Sequence, residues 1–165
     1  MKIGSEKSTL ILGLGNLLLS DEGVGVHVVH LLNQMTLPSD MEVIDGGTGG
    51  FELLEHVKGK SKVIIVDCLN ADAKPGSVVL MPLDEVLLHK SSPFSAHEGG
   101  ALELLRGIQE LQPSPQVTVV GIVPHVVNSL EMDLSSEVRS QLPKIISVVL
   151  DEAIKRREPI SSEAR

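Results

Sequence analysis

Residues Lys62–Asp67 read KVIIVD, an unbroken apolar, largely β-branched run that ends on an acid. A strand with no polar alternation must be covered on both faces, and such strands belong to parallel sheets layered between helices. Thr9–Leu14, Met41–Asp45 and Gln116–Val123 read as further strands. Helical patterns separate them: Asp21 to about Asn33, a short stretch over Phe51–Val57, and Glu98–Leu111. A last helix covers about Ser136–Arg157, where Pro143 can break it for want of a backbone donor. Strands alternating with helices predict a three-layer α/β/α sandwich around a mostly parallel sheet. Gly76–Leu83 is the expected antiparallel member. Its connection from Cys68 to Pro75 is too short for a helical crossover, so it should pair as a hairpin, with Pro82 at a strand end or sheet edge.

The chain has 165 residues, enough for one domain, expected over residues 1–158 with a frayed tail from Pro159 to Arg165. Fourteen basic against 22 acidic residues give a net charge of −8, with the acids spread along the chain. Nucleic-acid binding needs clustered Lys and Arg, and stacking on bases needs aromatic platforms. This chain has no Trp, no Tyr and two Phe, Phe51 and Phe94, so that class is excluded. Cys68 is the single cysteine, which rules out an internal disulfide and any CxxC metal site; a buried structural thiol is expected there. No apolar stretch approaches the roughly 18 residues a membrane span requires. Leu10–Leu19 is interrupted by Gly13, Gly15 and Asn16 and followed by Asp21-Glu22, so it reads as strand and turn rather than a signal peptide. A cytoplasmic location is expected.

Four places in the chain carry chemistry. Gly13-Leu14-Gly15-Asn16 follows a strand and precedes a helix, as in dinucleotide-binding folds, but the third glycine of that fingerprint is replaced by Leu18. Ser20 is a good N-cap, and Asp21 and Glu22 then stand in the first helical turn, where the dipole favours acids. Gly23 and Gly25 in the same turns imply a close approach, by the sheet or by a bound segment. Asp67 ends the most apolar strand, at the sheet end where open α/β folds bind ligands. Asp45 ends its own strand and leads into Gly46-Gly47-Thr48-Gly49-Gly50, a loop able to close over an extended peptide or other ligand. His97 opens a helix after a polar loop, whereas His27, His30 and His56 lie on helical stretches and read as surface or core-edge residues, and His89 and His125 lie in or near loops without an obvious partner. Glu22, Asp67 and His97 together make a two-carboxylate, one-imidazole set suited to nickel or zinc.

The run from Gly13 to Val26, GLGNLLLSDEGVGV, resembles the N-terminal signature of the hydrogenase maturation endopeptidases. Asp45–Gly50, Val63–Asp67 and Ser95-Ala96-His97-Glu98 match the later motifs in order, and the resemblance covers about residues 9–155. It implies a twisted five-stranded α/β/α sandwich. It also implies an enzyme that removes a C-terminal extension from a [NiFe]-hydrogenase large-subunit precursor after nickel insertion. By motif position Glu22, Asp67 and His97 would contact the metal, with nickel arriving in the precursor rather than held by the protein. Asp67 or Glu22 would act as the catalytic carboxylate. Asp45, with Gly46, Gly47, Thr48 and Gly49, would bind the substrate. Two other readings stay open: a non-hydrolytic chaperone docking on the nickel-loaded large subunit, and a dinucleotide-dependent oxidoreductase. The oligomeric state is not set by the sequence.

Overall fold

The computed structural model describes residues 8–88 and 100–155. The expected loop His89–Ala96, His97 and the tail from residue 159 lie outside these. Strands β1 (Thr9–Leu14), β2 (Met41–Gly47), β3 (Lys62–Cys68), β4 (Val78–Pro82) and β5 (Gln116–Ile122) form one sheet in the order β2-β1-β3-β5-β4. All neighbours are parallel except β4 against β5. Helices α1 (Val24–Leu32) and α5 (Ser136–Ile154) cover one face, and α2 (Leu54–Val57), α3 (Leu83–Leu88) and α4 (Gly100–Gln109) the other. None of the described helices is long and apolar enough to cross a membrane.

Strand alternation divides the core in two. Leu10, Leu12, Val63, Ile65, Val117 and Val119 pack toward α2, α3 and α4. Ile11, Ile64, Val66, Cys68, Val120 and Ile122 pack toward α1 and α5. Each fully buried aliphatic side chain contributes about 1.5–3 kcal/mol, so these two layers are the main source of stability.

Four expectations are corrected. β4 is antiparallel as predicted, but it is not in a hairpin with β3, because β5 lies between them. β5 is apolar enough to be buried on both sides, while β4 is only half-buried and carries Pro82, so β4 takes the edge. The strand ends at Pro82, and Leu83 begins the unexpected helix α3. The final helix runs unbroken through Pro143. That proline is exposed, as is Arg139 one turn earlier, so the carbonyl it leaves without a donor meets water. The first helix starts at Val24 rather than Asp21, preceded by a 3-10 turn over Ser20–Gly23. Ser20 is not its N-cap; its hydroxyl donates to the Asp133 carbonyl at 3.0 Å.

The close approach implied by the glycines is made by the sheet itself. A Cβ on Gly25 would stand 2.2 Å from the Val66 carbonyl oxygen and 2.3 Å from that of Leu14. Helix α1 therefore rests its first turn directly on the ends of β1 and β3. Both obstacles are backbone atoms, so Gly25→Ala should cost at least about 3 kcal/mol, more than ordinary overpacking of side chains. Urea denaturation would show it, and a loss below 1 kcal/mol would mean that α1 can lift from the sheet.

Candidate active site

The site is assembled at the carboxyl ends of the parallel strands. Tight glycine packing sets its first component. Gly15, at φ +138°, has room for no Cβ, since one would lie 2.1 Å from the Glu22 carbonyl oxygen. The Asn16 amide donates to that same carbonyl at 3.2 Å. The 3-10 turn is thereby folded back on the β1 loop and packed against β3. Its two acids are both buried, with different roles.

Asp21 is a structural hub. Its Oδ2 accepts hydrogen bonds from the amides of His125 at 2.9 Å and Val126 at 2.8 Å, and from the Ser135 hydroxyl at 2.7 Å. Its Oδ1 accepts from the Ser135 amide at 2.8 Å. One carboxylate thus ties the 3-10 turn to the loop after β5 and to the N-cap of α5. All three partners lie more than 100 residues away in sequence, which is why Asp21 reads locally as an ordinary first-turn acid. A signal was present nonetheless: Leu17–Val24 holds two acids among apolar and small residues, with no basic residue.

Glu22 meets Asp67. Asp67 is buried on the face of β3 that looks toward α4. With Leu14, Ile65, Ala101, Leu105 and Val119 it lines a cavity of about 10 Å³. Burial pushes its carboxyl up to about 7, the negative charge of Glu22 adds to the rise, and the Cys68 amide, donating to Oδ1 at 2.7 Å, opposes it. Burial also raises Glu22, against a hydrogen bond from the Asn128 backbone. Among the described residues neither acid forms an ion pair. Two adjacent buried carboxylates without a cation are costly, and a divalent ion between them would remove the cost. Carboxylate oxygens alone suit hard cations, and a further nitrogen ligand would be needed to turn such a set toward a borderline metal.

His97 lies outside the described residues, and no cluster of three metal-ligating side chains occurs among those described. The helix that follows it is placed, however. A Cβ on Gly50 would be 2.9 Å from the Gly100 Cα, and Ala101 and Leu105 share the Asp67 cavity. Asp45 stands apart from the carboxylate pair. It is exposed at the end of β2, where Oδ1 accepts from the Gly47 amide at 2.9 Å and Oδ2 meets His30 Nε2 at 2.7 Å. These bonds shape the glycine loop, with Gly47 at φ +50°. His30, read from sequence as incidental, is therefore an anchor for Asp45. Cys68 is buried in the core, as expected of a structural thiol.

The sequence profile of the HycI hydrogenase maturation protease family matches residues 26–152. The chain belongs to that family. It is 35% identical over 118 residues to the hydrogenase 2 maturation protease of Escherichia coli, covering 70% of this chain and 72% of the relative. The structure of the hydrogenase maturating endopeptidase HybD from E. coli superimposes with a TM-score of 0.74 at 32% identity, over 87% of this chain and 90% of HybD. The [NiFe]-hydrogenase maturation protease HybD of Thermococcus kodakarensis gives 0.70 at 29% identity, over 88% and 98%. The protein is accordingly a hydrolase of the endopeptidase kind, and the parallel sheet with its antiparallel edge is the fold of these proteases.

Proposed function

We propose that this endopeptidase removes the C-terminal extension of a [NiFe]-hydrogenase large-subunit precursor once nickel has been inserted, and that it works in the cytoplasm. The observation that carries the proposal is the buried Glu22–Asp67 pair, two acids at the ligand-binding end of the sheet that form no ion pair among the described residues. Such a site favours a substrate that brings a divalent metal with it. Glu22, Asp67 and His97 are the proposed contacts to the precursor's nickel. The supporting fact for His97 is that it precedes by only a few residues a helix whose first turn lines the Asp67 cavity. The Asp45–Gly49 loop is the proposed cradle for the extended substrate chain.

The nickel would serve as recognition signal and as Lewis acid at the cleaved carbonyl. The protein's part is proton handling. Asp67 is the proposed general base. In this reading its carboxylate takes a proton from the attacking water and returns it to the departing amine. Glu22 keeps the charge balance of the pair.

Intact-mass analysis of a cognate precursor, with and without nickel, tests the proposal. A single C-terminal loss confined to the nickel-loaded sample is expected. Equal cleavage of both samples would remove the metal from the recognition step. A nickel-dependent complex without cleavage would favour the chaperone reading.

A further inference from the structure

Beside the carboxylate pair, two loops are joined into a short parallel ribbon. Leu19 bridges Glu131, and the Ser20 amide donates to the Glu131 carbonyl at 2.7 Å. The ribbon is braced from beneath by the Asp21 carboxylate and by His27, whose Nε2 lies 3.0 Å from the Met132 carbonyl. Asn128, held at φ +60°, turns its backbone toward Glu22. The loop is thus pinned along its length, yet it carries some of the most exposed apolar side chains described: Leu130 at 86%, Met132 at 61% and, on the facing segment, Leu18 at 57%. Leu18 flanks the bridge on one segment and Leu130 and Met132 flank it on the other, so the three exposed side chains cluster around it. A single exposed leucine means little, but several clustered around one pinned bridge mark a contact surface.

We infer that this face docks an apolar stretch of the protein substrate, bordered by positive charge, next to the scissile segment. The inference rests on the peptidase reading above and names what holds the substrate there. Continuity decides for the substrate: Asn128, whose backbone bonds Glu22 of the proposed site, is two residues from Leu130. Charge decides against a second copy. The rim carries Glu131 and Asp133, the latter partly offset by Arg139 at 3.8 Å, in a chain of net charge −8. Two such rims would repel, whereas Lys or Arg flanking an apolar segment would be attracted.

The test compares the unaltered protein with the double variant Leu130→Ser/Met132→Ser, using a nickel-loaded cognate precursor. KM should rise by about tenfold or more with kcat nearly kept, the loss expected when buried apolar anchors are removed from an interface. Binding of uncut precursor to an Asp67→Asn background should weaken by a similar factor, and the unfolding temperature should not change. Unchanged KM and unchanged binding would overturn the inference. So would a dimer of the unaltered protein, seen by sedimentation, that the double variant dissolves. If the unaltered protein binds precursor without cutting it and the double variant loses that binding, the docking face stands while the peptidase reading falls.

Discussion

Asp67→Asn should abolish cleavage and, at pH 8, raise the unfolding temperature by about 5–10 °C, the shift expected for a few kcal/mol in a domain of this size. The sign follows from the raised carboxyl. In the folded protein Asp67 titrates near 7, against an ordinary value of 3.8. Between these two pH values the native state holds a proton that the unfolded chain has released. Stability contributed by the protonated acid is complete below about pH 4, declines as pH rises, and is gone above about 7. The total is on the order of 4 kcal/mol at 1.4 kcal/mol per unit. Asparagine keeps the acceptor for the Cys68 amide and cannot ionise, so it escapes the decline. At pH 4 the two proteins should have similar stability. Thermal unfolding at both pH values checks this, and a variant less stable at pH 8 would mean that the ionised carboxylate has a stabilising partner. With both results, activity and stability would make opposite demands at this residue.

Asp21 should behave in the reverse way. Asp21→Ala would leave the amides of His125, Val126 and Ser135 without their acceptor, at about 1–3 kcal/mol for each buried group left unpaired. A total on the order of 4–6 kcal/mol is expected, a large part of the whole stability of most domains. Asp21→Asn is not a safe substitute, because its amide would present hydrogens to groups that are themselves donors; about 2–4 kcal/mol should be lost. Denaturation measures the totals, and hydrogen exchange at the three amides would locate the damage. Slow exchange retained at all three would show that the loop after β5 is held by something other than this carboxylate.

These two acids also show what the chain discloses locally and what it does not. β1, β3 and β5 were legible because a strand buried on both faces must be apolar throughout, as KVIIVD is. Asp67 was legible for the converse reason, since a carboxylate closing such a run does nothing for packing. The order of the sheet was not. Connection length predicted that β4 would fold back on β3, but the place beside β3 goes to β5, which has no proline to interrupt its ladder, and that competition involves segments far apart in the chain. Helix α3 escaped because Leu83–Leu88 begins directly after a strand-ending proline. Asp21 escaped because its partners are remote. Glu22 was singled out, but its proximity to Asp67 depends on the backbone contacts of Gly15 and Gly25, which only the folded chain displays.

The insertion of β5 between β3 and β4 has a consequence during synthesis. As the nascent chain leaves the ribosome, β1, β2 and β3 can associate early, but the second edge of β3 stays open until Gln116–Ile122 emerges, about 50 residues and several seconds later at ordinary translation speeds. Throughout that interval an all-apolar strand offers unpaired backbone groups to any other chain nearby, the condition that invites edge-to-edge aggregation. Slower elongation over residues 69–115 should therefore lower the soluble yield, and growth temperature or chaperone supply should matter more for this protein than its final stability suggests.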